Sequence, residues 1–229
     1  MRIRKIEITN FRGIKEMQWS IPKDKSLICL IGPGDSGKSS ILEAIYLTLG
    51  DRWNPSISDT DFYKSDVTSP IVIRCTISDL SNKLLKESSL GLWLSGIDDA
   101  GKIYQDPIEG TDSALIVQLR IDESLEPVWT VERLNGENSI NVSSSLRREF
   151  ATFKIDDRTD VHLRWTRTSA LGRISPAENS TGNTMAIASR AAREAIASYS
   201  DGALIRSLYK CRKSLMKSDV VRFAQFALD

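Results

Sequence analysis

The chain has a single histidine, His162, in 229 residues, and its three cysteines, Cys29, Cys75 and Cys211, stand far apart with no CxxC pair. That is too few thiol and imidazole ligands for a zinc site. No serine or cysteine in a triad-like setting accompanies His162, which reads as structural. Cys29 lies in an apolar run and reads as core packing, a use of thiols that suits a reducing cytosol. An excess of one charge is also missing: 31 Lys and Arg face 30 Asp and Glu, for a net charge of +1. The balance gives no sign of a nucleic-acid or membrane surface, although a local basic patch would be averaged away. No apolar run approaches the roughly 18 residues that a membrane helix needs. The opening Met1-Arg2-Ile3-Arg4-Lys5 has no apolar region behind it, so no signal peptide is expected and the predicted location is cytoplasmic. What is present is ordinary: 41% hydrophobic and 27% charged residues, enough to bury a core.

Alternation of polar and apolar residues predicts strands over 2–9 and 14–21, joined by the turn Asn10-Phe11-Arg12-Gly13. The continuous apolar run 27–31 (LICLI) predicts a strand buried on both faces. Helical spacing over 39–49 places Ile41, Leu42, Ile45 and Leu49 on one side, and Gly50 stops the helix. Residues 51–70 read as a polar loop. Strand-like stretches recur at 71–77, 90–97, 102–105, 114–121 and 127–133, parted by turn residues such as Asn135-Gly136, as in an antiparallel meander. A short helix is expected over 145–152, a Ser-, Gly-, Asn- and Pro-rich linker over 170–184, and helices over 185–199 and 203–228.

Between the apolar run and the first helix, Gly32-Pro33-Gly34-Asp35-Ser36-Gly37-Lys38-Ser39 fits G-x-x-x-x-G-K-[ST] at every fixed position. Glycines let such a loop curl so that its backbone N–H groups converge on a phosphate. The following helix N-terminus favours an anion. Lys38 would bring a point charge to the β- and γ-phosphates, and the Ser39 hydroxyl a ligand to Mg²⁺. Together with Ser40, this segment is expected to bind ATP with Mg²⁺.

Two further stretches mimic catalytic motifs. Leu94-Ser95-Gly96 resembles the start of an ABC-type signature, but it runs into the turn Asp98–Gly101 instead of opening a helix. Residues 115–123 resemble a Walker B strand ending in Asp122-Glu123, yet Gln118 and Arg120 give the alternation of a half-exposed antiparallel strand. Both are therefore rejected, and no catalytic residue is assigned. Gln105 and Gln118 lack the placement of a Q-loop glutamine. Asp59, Asp61 and Asp66 read as solvated loop carboxylates in preference to a metal site. Arg164, Arg167 and Arg173 read as phosphate contacts or as a solvated basic edge.

The strand ending in Asn10-Phe11-Arg12-Gly13-Ile14, followed by the GPxxSGKSSILEAI loop and helix, resembles the RecF/SMC/OLD group of ABC-type ATPases. Within it, Asp59-Thr60-Asp61-Phe62, the strand IVIRCTISDL and the segment LRWTRTSALGR look like the OLD (overcoming lysogenization defect) family, over most of residues 1–175. The resemblance implies a two-lobed ATPase head that dimerises around ATP, and in OLD proteins a Toprim nuclease domain with an acidic metal cluster. It also implies that Arg12 reaches the nucleotide, against the alternative of an exposed turn arginine.

The expected fold is α/β: a P-loop NTPase of the ABC-type head, first lobe. It would combine a mixed sheet around the P-loop helix, an antiparallel sheet beside it and a helical C-terminal extension. Residues 1–183 would form the Walker A lobe and 184–229 the start of a dimerisation insertion, with Ile187, Ala191, Ala195, Leu204, Leu208, Leu215, Val220 and Phe223 on buried faces. The chain reads as a fragment or a truncated relative that lacks signature motif, Walker B and Toprim cluster. Implied partners are a second copy or a higher homo-oligomer, DNA through the full-length protein, and a defence-system protein. The alternatives are a RecF- or SMC-type repair ATPase lobe without nuclease, or a non-catalytic nucleotide-sensing module.

Overall fold

A computed structural model describes residues 1–50, 55–86, 88, 90–134, 136, 138–150 and 152–155, together with 184, 187, 188, 190–192 and 194. The chain divides into two compact units, Met1–Asp156 and Asp157–Asp229.

In the first unit, β1 (Arg2–Phe11) and β2 (Ile14–Ser20) form the expected hairpin, with Ile6 opposite Trp19 and Phe11 opposite Ile14. Then come α1 (Lys38–Leu49), β3 (Ile71–Ser78), β4 (Ser95–Ile97), β5 (Ile103–Tyr104), β6 (Asp112–Ile121), β7 (Pro127–Glu132), β8 (Ser139–Asn141) and α2 (Ser144–Arg147). The eight strands make one sheet in the order β2-β1-β3-β6-β4-β5, with β7 on β6 and β8 on β7. Every ladder among the described residues is antiparallel.

Alternation fixes which face is buried. On β3, Ile71, Ile73, Cys75 and Ile77 point one way, and their partners Ile121, Leu119, Val117 and Leu115 on β6 point with them. Ile6 and Ile8 extend this layer on β1, and Trp129 and Val131 extend it on β7. Helix α1 covers it through Ala44, Leu47 and Leu49, which are buried in the same cluster. Each fully buried Ile or Leu contributes about 1.5–3 kcal/mol by leaving water. The helix ends where Gly50 donates its N–H to the Tyr46 carbonyl at 2.8 Å; a Cβ there would lie 2.4 Å from that oxygen, so no larger residue fits.

Several expectations are corrected. The run 27–31 forms no strand: Leu27 is 77% and Ile31 94% exposed, and Cys29 is exposed instead of packed in the core. A strand apolar on both faces needs a neighbour on each side, and both edges of β1 and of β3 are already taken. The parallel component of a mixed sheet is accordingly not made among the described residues. Leu42 is 57% exposed, because the buried side of α1 runs through Ala44 and Thr48. The strand expected over 90–97 shortens to β4 after a tight turn at Gly91–Trp93. The helix expected over 145–152 is α2 followed by a 3₁₀ turn, Arg148–Phe150. The three-residue β8 was not foreseen.

In the second unit the described residues between Thr184 and Glu194 are helical, as the spacing predicts, and exposed, including Ile187 and Ala191. His162, Arg164, Arg167, Arg173, Cys211 and the remaining apolar positions of the predicted helices lie outside the described residues, as does the linker before residue 184. Among the described residues no helix is long and apolar enough to cross a membrane.

Candidate functional site

The glycine-rich segment folds as a loop that turns directly into α1. Asp35 (φ 56°) and Gly37 (φ 86°) both adopt the left-handed region. Glycine takes this conformation without steric cost, whereas Asp35 does so against its own Cβ. Gly37 is the N-cap of α1, and no side chain among the described residues caps that end. The Gly37 carbonyl accepts the Ile41 N–H at 2.9 Å, which starts the helix ladder. The first-turn N–H groups of Lys38, Ser39 and Ser40 precede any intrahelical carbonyl and carry the positive end of the helix dipole.

Lys38 turns back over the loop. Its ammonium donates to the carbonyls of Gly32 at 2.9 Å and Pro33 at 2.6 Å and to the Ser36 hydroxyl at 3.1 Å. The cation is thus held across the mouth of the loop by exposed groups, from which an anion can recruit it. Of the nine residues named for this segment, all lie on the loop or the first turn of α1, as their order in the chain requires. Among the described residues no group of three or more His, Cys, Asp or Glu could hold a metal.

The hairpin turn lies beside this loop: a Cβ on Gly37 would sit 3.6 Å from Ile14 Cγ1. Arg12 (φ 48°) occupies the turn. It is exposed, and Asp61 holds it there. Its N–H donates to the Asp61 carbonyl at 2.7 Å and its Nε to Asp61 Oδ1 at 2.8 Å. The solvated reading of Asp61 is therefore wrong; it is buried, because it pairs with a cation 49 residues away in sequence. Asp59 and Asp66 are exposed loop residues, and Asp66 is held below its ordinary pKa by the hydroxyl and N–H of Thr68. The Asn10 amide donates to the carbonyls of Asp66 and Ser69 and accepts the Tyr63 N–H at 3.2 Å, so turn and loop are bolted together. Sequence reasoning missed this role of Asn10; the signal in the sequence was an Asn at a strand end, a residue type that readily takes the left-handed conformation found here (φ 58°).

Neither mimic opens a helix, but the half-exposed strand expected around Gln118 is corrected: Gln118 is buried and only Arg120 of β6 is exposed. Leu94-Ser95-Gly96 enters β4, which pairs with β6 on one side and β5 on the other. Asp122 follows β6 and receives the Ser124 hydroxyl at 2.6 Å and its N–H at 3.0 Å, which hold the carboxyl below its usual range. Gln118 points away from α1, in line with Arg74 and Thr130, and donates to Glu132. The Gln105 carbonyl accepts from Arg133 at 3.0 Å.

A family model described as an AAA ATPase domain matches residues 1–170. An OLD nuclease of Thermus scotoductus is 26% identical over 178 residues, covering 75% of this chain and 30% of the nuclease. The DNA replication and repair protein RecF of Desulforamulus reducens is 33% identical over 104 residues, covering 43% of this chain and 27% of RecF. The matches thus span less than a third of either relative's length. A solved chain, described by ATP-driven dimerization and DNA-stimulated activation of SMC ATPases, superposes with a TM-score of 0.39 at 14% identity, covering 65% of this chain and 76% of that one.

Proposed function

The chain belongs to the AAA ATPase domain family over residues 1–170, and from that premise we propose that it is the ATP-binding lobe of an OLD-like, ATP-dependent DNA endonuclease acting in anti-phage defence. One observation carries the ATP-binding part. The loop Gly32–Ser39 passes through left-handed Gly37 into the uncapped N-terminus of α1, with the Lys38 ammonium held across the loop mouth. Uncapped first-turn N–H groups, a helix dipole and one exposed cation form a receptor for a polyphosphate. On this reading Gly32 to Ser40 surround the phosphates, Arg12 approaches from the hairpin turn and Ser39 ligates Mg²⁺. The metal would offset phosphate charge.

The likeness to an OLD nuclease over 75% of the chain supports the endonuclease reading. ATP would then set the geometry of a homodimer, or of a larger homo-oligomer, and so gate DNA cleavage by the full-length protein in the cytoplasm. A defence-system protein is a further partner on this reading. Residues 1–183 act as the nucleotide lobe and 184–229 as the start of the dimerisation insertion. A second reading, a RecF-type repair lobe without nuclease, is supported by the higher identity to RecF over a shorter stretch.

The experiment has two arms. Calorimetric titration with Mg²⁺ and ATP is expected to show binding that Lys38→Ala removes; no binding by the unaltered chain would overturn the proposal. Expression of the complete reading frame and assay on plasmid DNA then separates the readings. ATP-dependent cutting supports the OLD-like one, and ATP turnover without cutting supports the RecF-like one.

A further inference from the structure

Asp61 is only 8% exposed, yet it commits three acceptors to two partners. Its Oδ1 accepts from Arg12 Nε at 2.8 Å, its carbonyl from the Arg12 N–H at 2.7 Å, and its Oδ2 from the Ser58 N–H at 3.1 Å. The left-handed backbone of Arg12 (φ 48°) is strained for a residue with a Cβ. It persists because the Asp61 bonds, the Phe11–Phe62 bridge and the Asn10 amide all fix the same turn. The guanidinium uses its Nε edge on Asp61. Its face lies over the Phe11 ring, 5.0 Å from the centroid, while among the described residues Nη1 and Nη2 make no hydrogen bond and the side chain is 40% exposed. Two residues further on, Ile14 abuts Gly37 of the glycine-rich loop.

We propose that Asp61 is a positioning residue for the nucleotide site: it holds Arg12 so that the free Nη edge meets the phosphate oxygens of a bound nucleoside triphosphate. The proposal rests on the phosphate-loop reading above. A guanidinium edge matches an oxyanion in shape and charge. An arginine already fixed at Nε loses less rotamer freedom on binding than a free one. Asp61 would thus raise affinity without touching the ligand.

The test is a double-mutant cycle on the 229-residue chain, titrated with Mg²⁺ and ATP. Arg12→Ala and Asp61→Asn are each expected to weaken binding about tenfold. Asp61→Asn on the Arg12→Ala background is expected to cost nothing further, because its effect passes through Arg12. Equal losses on both backgrounds would show Asp61 acting only on the loop and would overturn the proposal, as would unchanged affinity in Asp61→Asn. If Asp61→Asn does not fold, Asp61→Glu, which keeps the charge and moves it by one methylene, takes its place in the cycle under the same criteria. Failure of the unaltered chain to bind ATP overturns the phosphate-loop reading and this inference with it. Intact binding with no coupling between the two residues overturns this inference alone.

Discussion

The guanidinium of Arg147 sits 3.7 Å from the centre of the Trp129 ring, and both side chains end on the last turn of α1. The Trp129 indole N–H donates to the Leu47 carbonyl at 3.0 Å, and Arg147 Nη1 donates to the Gly50 carbonyl at 3.2 Å. A helix whose N-terminus faces the candidate ligand is therefore tied down at its other end, where the negative pole of its dipole meets a buried cation. Arg147→Met keeps much of the volume but removes the cation and its donors. It is expected to destabilise the fold by about 2–3 kcal/mol, read as a lower urea midpoint in circular dichroism. An unchanged midpoint would show that α1 is held by its apolar face and the Trp129 bond without help from Arg147.

Lys38→Ala is expected to abolish ATP binding while leaving the melting temperature of the ligand-free protein unchanged. The ammonium bonds only to exposed loop groups, which water can satisfy instead. Calorimetry and thermal melting on one preparation check both halves, and retained affinity would move the nucleotide elsewhere.

The chain by itself is expected to hold ATP weakly, turn it over near background and leave DNA uncut with Mg²⁺ or Mn²⁺. Hydrolysis needs a carboxylate that orients water, and in ATPases of this class donors from a second subunit. Asp122 spends its carboxylate on the Ser124 turn, and Glu123 stands exposed beside it. Phosphate release should be indifferent to Glu123→Gln. Robust turnover lost in that variant would make β6 a genuine Walker B strand.

Burial pushes the Cys75 thiol up to about 12. The thiolate is the reactive form, so its population at pH 8 is negligible, and the side chain has no solvent access. Iodoacetamide at pH 8 is expected to label exposed Cys29 and to spare Cys75 until denaturant is added. Peptide mass mapping reads each site separately, and native labelling of Cys75 would contradict the packing of β3 against α1.

What the sequence disclosed was local. Period-two alternation identified β1 and β2, and the strand-like composition between turn residues identified β3, β6 and β7. The half-exposure expected of β6 failed, because Ile116 and Gln118 on its second face are buried as well. The loop was legible because its glycines, Lys38 and Ser39 act within eight consecutive residues. What it hid depends on distant partners. Nothing in 27–31 says whether neighbouring strands exist, and a fully apolar run looks the same with or without them. Leu42 and Ile41 are equally apolar, so only the sheet beneath α1 chooses between their rows. Asp61 reads as a loop carboxylate until the fold brings Arg12 to it. Strand β8 is too short to show a period.

The exposed run Leu27–Ile31 has a material consequence. Five uncharged residues of high strand propensity, without proline, carry backbone groups that no ladder among the described residues occupies. Such a segment is adhesive toward its own kind: in concentrated solution, copies can stack edge to edge through it. Because Gly32 follows at once, every accretion of this sort would bury the entrance to the phosphate loop. Colloidal behaviour and ligand access are thereby coupled through one short stretch of chain.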